Sequence, residues 1–99
     1  MRLNIGYEGG EFIAERDDGW QVWMKQVRNA VYAKVFNHKL PRQRGRRRSF
    51  LIAVYVQECR LNRQSERGAM CAAGGEELAA WVDETIKPVC QRINAQAGQ

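Results

Sequence analysis

The sequence predicts an α+β fold, namely an antiparallel β-meander of four to five strands packed on one face by a C-terminal amphipathic helix. Short runs of alternating apolar and polar residues, separated by glycine-containing turns, fill the first third of the chain. An uninterrupted apolar run follows at 50–56. Apolar residues then recur at spacings of three and four from Leu78 onwards, which is typical of a helix with one buried face.

Alternation predicts four strands ahead of the apolar run, at about 2–8, 11–17, 20–27 and 30–36. Phe12 and Ala14 should share one face of the second strand. Asp18-Gly19 lies between two alternating runs and is among the strongest short signals for a hairpin turn. The first part of the chain therefore predicts a meander of short strands.

One alternative stays open for 19–37, which also fits a helical stripe. We favour two strands because the stretch is rich in valine and aromatic residues, which lose rotamer freedom in helices. Arg28-Asn29 also interrupts the stretch as a turn would.

The apolar run at 50–56 predicts a central strand that is covered on both faces and continues to about Leu61. The polar and glycine-containing stretch at 62–75 predicts a loop, with room for a short edge strand at 69–72.

The C-terminal helix is predicted at about 76–96, with Glu76 and Glu77 in its first turn, where the helix dipole favours negative charge. Pro88 removes one backbone hydrogen bond and should kink or split the helix near 84–88.

Length and composition predict one domain at 1–99 with a basic hairpin loop at 38–49. The 99 residues are 44% hydrophobic and 27% charged, which is typical of a globular chain. The longest apolar run is far too short to span a membrane, and Met1–Glu8 has no apolar signal core. Cys59, Cys71 and Cys90 are odd in number, so we expect three buried thiols in a reducing cytoplasm.

Charge is distributed unevenly along the chain, whose formal net charge is +5. Residues 1–24 carry a net charge of −3, residues 25–67 carry +10 and residues 68–99 carry −2. A basic centre between acidic ends predicts one surface that contacts anions.

The basic centre contains the segment 41–49, in which five of nine residues are arginine. Arginine stays protonated and binds phosphate or carboxylate with two parallel hydrogen bonds. We expect the segment to lie along a nucleic-acid phosphate backbone, whereas a solvated loop is the simpler interpretation of any charge run. The candidate contact residues are Lys39, Arg42, Arg44, Arg46, Arg47 and Arg48, with Arg60, Arg63 and Arg67 extending the basic side if the chain returns toward the segment.

Aromatic residues near this charge could stack on bases, as in single-strand binding proteins. The candidates are Trp20, Trp23, Tyr32, Phe36 and Tyr55, each of which is otherwise a core residue. On a two-faced strand Trp20 and Trp23 point to opposite sides. At most one of these two tryptophans therefore belongs to the helix-covered core, and Trp23, Tyr32 or Tyr55 is the preferred stacking residue.

No pattern in the sequence predicts catalysis or a cofactor. The three cysteines and His38 lack the spacing of a zinc site, and no glycine-rich phosphate loop occurs. The paired carboxylates at 17–18 and 76–77 fit a turn and a helix start. We therefore expect no catalytic residues, no metal and no cofactor.

The favoured function is a small non-enzymatic nucleic-acid-binding protein that contacts DNA or RNA phosphates. The alternative is a protein-binding inhibitor or adaptor, of the kind found in phages or plasmids, that blocks a host nucleoprotein complex by binding an acidic partner. A third interpretation is a homodimer formed through exposed apolar sheet surface. No membrane partner is expected.

Overall fold

The computed structural model describes residues 10–37, 39, 49–56, 58–61 and 64–97, without the side chains of 49–52, 55, 64, 65 and 97. The elements are β1 (Glu11–Glu15), β2 (Trp20–Val27), β3 (Ala30–Asn37), β4 (Ser49–Tyr55) and α1 (Gln64–Ala97). Neighbouring strands pair antiparallel in the order β1-β2-β3-β4, and α1 packs on the sheet. The predicted α+β fold is confirmed, whereas the strand predicted at 2–8 lies outside the described residues.

Two tight turns set the register of the first three strands. In the β1–β2 turn the Gly19 amide donates to the Arg16 carbonyl at 2.9 Å, and Gly19 has a φ of 99°, which favours glycine. β2 and β3 are joined directly by Arg28-Asn29. Both predicted turns are confirmed, and the helical alternative for 19–37 is excluded.

A β-bulge at Ile13 changes the faces of β1. Phe12 pairs with Trp23 and Ala14 pairs with Val22, so the register moves by one residue between them. Because one extra residue reverses the alternation, Phe12 and Ala14 lie on opposite faces of the sheet. The prediction that they share a face is therefore wrong.

The core lies between α1 and one face of the sheet. The fully buried helix residues Leu78, Val82, Ile86 and Cys90 follow one another at intervals of four. The strands contribute the buried side chains Trp20, Val22, Met24, Val31, Ala33, Val35 and Val54. This arrangement confirms a helix on one face of the sheet.

The helix begins at Gln64, earlier than predicted, so the loop at 62–75 and the edge strand at 69–72 are wrong over the described residues. Alanine is frequent in this stretch and favours helix, and the Met70 side chain is fully buried in the core. The backbone departs from helical geometry at Gly75, with φ 80° and ψ 175°. The segment after Gly75 is the helix that the apolar spacing predicts.

Pro88 lies inside α1 without a break, since Gly75 is the residue of α1 with non-helical φ and ψ. Of the kink or split predicted near 84–88, the split is wrong, and a kink at Pro88 stays a prediction. Pro88 is exposed, so water can reach the carbonyl that loses its backbone partner. Within the ranges that the structure describes, no helix has both the length and the apolar content needed to cross a membrane.

The strand predicted at 50–56 is present as β4, which has β3 as its one neighbour among the described strands, so its predicted central position stays a prediction. β4 also ends at Tyr55 rather than near Leu61. The chain then reaches α1, where the Leu61 amide donates to Asp83 Oδ1 at 2.9 Å. Val54 accounts for part of the apolar character because it is fully buried beneath the helix.

A disulfide joins Cys59, after β4, to Cys90 on α1, with Cα atoms 5.4 Å apart. Cys71 is the free cysteine. The expectation of three thiols is therefore wrong. Sequence reasoning missed the pairing because it depends on tertiary contact between positions 31 residues apart. Disulfides persist mainly in oxidising compartments, so the cysteines no longer support a cytoplasmic location.

Two glycine substitutions in α1 should have opposite effects on stability. Gly75→Ala places a side chain at positive φ and should lower the free energy of unfolding by about 1–3 kcal/mol. Gly68→Ala, at a helical position with nothing within 4 Å of an added Cβ, should raise it by about 0.5–1 kcal/mol. Urea unfolding measures both, and a stabilising Gly75→Ala would contradict the break in the helix.

Alkylation of the denatured, unreduced protein should modify Cys71 alone, whereas prior reduction should expose all three cysteines. Reduction should also lower the free energy of unfolding by roughly 3–4 kcal/mol, because the crosslink closes a loop of about 30 residues. Mass spectrometry and urea unfolding provide the two measurements. Three modified cysteines without reduction would contradict the disulfide.

Candidate nucleic-acid interface

The arginine-rich segment joins two strands that are paired with each other. Phe36 pairs with Ser49, so residues 38–48 connect the end of β3 to the start of β4. Trp20 pairs with Asn37, which brings the β1–β2 turn to the same end of the sheet. The predicted contact residues Arg42, Arg44, Arg46, Arg47, Arg48 and Arg63 lie outside the described residues.

Lys39 is the described cation of this connection, and it lies against the β1–β2 turn. Its amide donates to Asn37 Oδ1 at 2.9 Å, and its Nζ donates to the Asp17 carbonyl at 3.2 Å. The buried Asn37 in turn donates through Nδ2 to the Asp18 carbonyl at 3.0 Å. A Cβ on Gly19 would lie 2.6 Å from Asn37 Oδ1, so glycine permits this close approach. These contacts fix where the basic connection begins.

The acidic turn at this end is paired internally. Arg16 Nε donates to Asp18 Oδ1 at 3.1 Å, and the Arg16 guanidinium lies 5.3 Å from the centroid of the Trp81 ring on α1. The hydrogen bond from Arg16 holds the pKa of Asp18 below its ordinary value and raises the pKa of Arg16. The Asp18 carboxylate therefore interacts with Arg16, while Lys39 contacts the backbone of the turn.

The sheet face opposite α1 carries aromatic and basic residues. Because paired residues share a face, the strand register assigns Phe12 of β1, Trp23 and Lys25 of β2, and Tyr32, Lys34 and Phe36 of β3 to this helix-free face. α1 packs on the other side of the sheet, and on this face Phe12, Trp23 and Tyr32 are at least partly exposed, whereas Gln21 and Phe36 are buried. The predicted separation of the tryptophans is confirmed, since Trp20 is 4% exposed in the core and Trp23 lies on the other side.

Trp23 is held in place by polar and aromatic contacts. Its indole Nε1–H donates to Gln21 Oε1 at 2.9 Å, and Gln21 Nε2 donates to Glu15 Oε1 at 3.3 Å. The Phe12 ring meets the Trp23 ring edge to face at 5.4 Å between centroids. Phe12 is 45% exposed and Trp23 is partly exposed, so both rings are oriented and accessible.

Two lysines alternate with these rings. Lys34 pairs across the strands with Trp23, and its Nζ lies 5.6 Å from the centroid of the buried Phe36 ring. Lys25 pairs with Tyr32, which is partly exposed. Each aromatic ring that reaches the surface of β2 or β3 therefore has a cation opposite it on the neighbouring strand, an arrangement that offers contacts to both bases and phosphates.

Arg60 lies away from this face. The chain reaches Arg60 from Tyr55, which pairs with Ala30 beside the β2–β3 turn, at the sheet end opposite Lys39. Arg60 borders a cleft of about 550 Å³ on the helix side, with Lys87 and the acidic residues Glu58, Asp83 and Glu84. The structure therefore groups Arg60 with a cleft of mixed charge and does not bring it to Lys39.

Arg67, the third residue of the predicted basic extension, forms an ion pair with Asp83 at 2.7 Å. The hydrogen bond to Asp83 raises the pKa of Arg67. Since Asp83 also accepts from the Leu61 amide, this pair attaches the beginning of α1 and the segment after β4 to the rest of the helix. Arg67 therefore has a structural role.

Sequence reasoning identified Trp23 and Tyr32 but missed the lysines between them. The period-two alternation already placed Lys25 and Lys34 on the same faces as Trp23 and Tyr32, so the signal was available. Phe12 could not be assigned in this way because the bulge at Ile13 reverses its face.

Comparisons of this chain with protein-family models, with curated proteins and with solved structures found no significant match. The function must therefore be argued from the surface described above.

Proposed function

We propose that this chain is a small non-enzymatic nucleic-acid-binding protein that contacts the phosphate backbone of DNA or RNA. The contacts come from Arg42, Arg44, Arg46, Arg47 and Arg48, helped by Lys39. The observation that carries the proposal is the pairing of β3 with β4, because it joins the arginine-rich connection to the end of a sheet face that bears lysines.

The chemistry of arginine supports phosphate as the ligand. Guanidinium groups stay charged and bind phosphate oxygens with two hydrogen bonds each. Each neutralised phosphate releases counterions, so several arginines close in sequence give strong, salt-dependent binding. Contacts of this kind position a protein on nucleic acid and need not read its sequence.

The proposal includes no catalytic residue, metal or cofactor, because the sequence has no pattern for one; two described carboxylates and one cysteine pair also have structural partners. Asp18 is engaged by Arg16, Asp83 by Arg67 and the Leu61 amide, and Cys59 by Cys90. These groups stabilise the turn, the helix and the segment after β4. A cytoplasmic location remains part of the proposal, and the Cys59–Cys90 disulfide is an observation against it, since disulfides persist mainly in oxidising compartments.

The triple variant Arg46/Arg47/Arg48→Ala tests the proposal by salt-titrated binding to a random duplex. For the wild type, the logarithm of affinity should fall with the logarithm of salt concentration at a slope of about −4 to −5. The triple variant should bind more weakly and lose roughly three units of that slope, because each lost phosphate contact removes about 0.9.

A matched variant removes the same charge elsewhere. Arg28→Ala/Lys87→Ala/Arg92→Ala changes one exposed cation at the opposite sheet turn and two on α1, and it should keep the wild-type slope within about one unit. Equal binding by the wild type and the Arg46/Arg47/Arg48 variant would overturn the proposal. Recovery of a stoichiometric acidic protein from nuclease-treated lysate, without nucleic-acid binding, would favour the inhibitor or adaptor instead.

A further inference from the structure

We infer that the helix-free face binds single-stranded nucleic acid by stacking unpaired bases on Trp23, with Tyr32 and Phe12 beside it. This inference rests on the proposed function, since the arginine-rich connection supplies the phosphate contacts. It adds the class of nucleic acid and the surface that contacts the bases.

Trp23 is held in the way that a base-stacking ring requires. A stacking ring must be rigid and exposed, and Trp23 is held by the hydrogen bond to Gln21 and by the ring of Phe12 while staying partly exposed. Tyr32 is the diagonal neighbour of Trp23 across β2 and β3, at about 7–8 Å. The two rings therefore offer adjacent supports for two bases.

The width of the helix-free face favours single strands over a duplex. Four strands at about 4.8 Å spacing give a sheet about 14 Å wide before side chains are added. The major groove of B-DNA is about 12 Å wide and admits a helix or a two-stranded ribbon. A four-stranded face is therefore too wide to enter the groove. It also cannot stack on the bases of a duplex, because those bases already stack on one another. Unpaired bases can lie flat on these rings.

The charge of the helix-free face is complementary to a polyanion. Lys34 and Lys25 lie between the aromatic residues, and Lys39 of the connection at 38–48 lies at one end of the same sheet. Protein interfaces exclude lysine from their apolar centres, so a second copy of this chain is a poor occupant of this face. A polyanion with flat apolar bases matches the alternation of rings and cations.

The test compares three probes of equal strand length, about 12 nucleotides, which is within the site size of small single-strand binding modules. They are an oligothymidylate, an abasic strand and a random duplex. The two single strands have equal phosphate number, and the duplex carries twice as many phosphates. The wild type should bind oligothymidylate at least about 5-fold more tightly than the abasic strand, because only the former can stack. Trp23→Ala should weaken oligothymidylate binding about 5- to 150-fold and leave abasic-strand and duplex binding within about 2-fold.

Trp23→Phe should recover most of the affinity because it keeps an aromatic ring, and its folding is checked by circular dichroism. Val27→Ala is the control, since Val27 is 41% exposed on the same face of β2 and is not aromatic. The comparison of wild type on oligothymidylate and abasic strands needs no variant, so a poorly folded Trp23→Ala does not prevent the test.

Two failures are distinguishable. If the wild type binds all three probes with an arginine-dependent salt slope but equally well with and without bases, the stacking inference is wrong and the proposed function stands. If the wild type binds none of the three probes, both the stacking inference and the proposed function are wrong. A wild-type dimer in light scattering that Trp23→Ala converts to a monomer would assign this face to self-association and overturn the inference.

Discussion

The structure depends on the packing of one helix against one face of one sheet. The apolar stripe of α1, from Leu78 to Cys90, is buried against alternate residues of β2 and β3. The Cys59–Cys90 disulfide attaches the helix to the segment after β4, whereas the exposed Arg92–Glu11 ion pair with β1 contributes little. α1 buries the apolar residues of the helix-side face. On the opposite face Gln21 and Phe36 are buried, whereas Phe12, Trp23 and Tyr32 keep part of their surface exposed for other contacts.

The two faces are coupled by strand register. Side chains alternate along a strand, so the burial of Trp20 in the core requires Trp23 to lie on the other face. The turns at Gly19 and Arg28-Asn29 fix that register, and a slip by one residue would exchange the core with the aromatic surface. The position of the proposed binding surface is therefore a consequence of how the core is packed.

Local pattern was sufficient to predict the first three described strands and the later part of the helix. The signals that succeeded depend on residues close together in the sequence: the Asp18-Gly19 turn, the alternation along β2 and the apolar spacing after Leu78. Prediction failed where distant contacts decide the outcome. The residues before Gly75 are helical partly because Met70 is buried, β4 ends early because the chain reaches Asp83, and Cys59 meets Cys90 only after the helix has packed. For the same reason the sequence showed that Arg60 belongs to the basic part of the chain but could not show where it lies in the fold.

Chemical shifts in isotope-labelled protein titrated with oligothymidylate would test the central claim most directly, because they report on each face separately. The account predicts the largest changes at the Trp23 indole N–H and at the amides of Tyr32 and Lys34, while Glu84 and Lys87 on α1 stay unchanged. Changes centred instead on the cleft around Arg60 and Lys87, with the Trp23 indole unaffected, would contradict it.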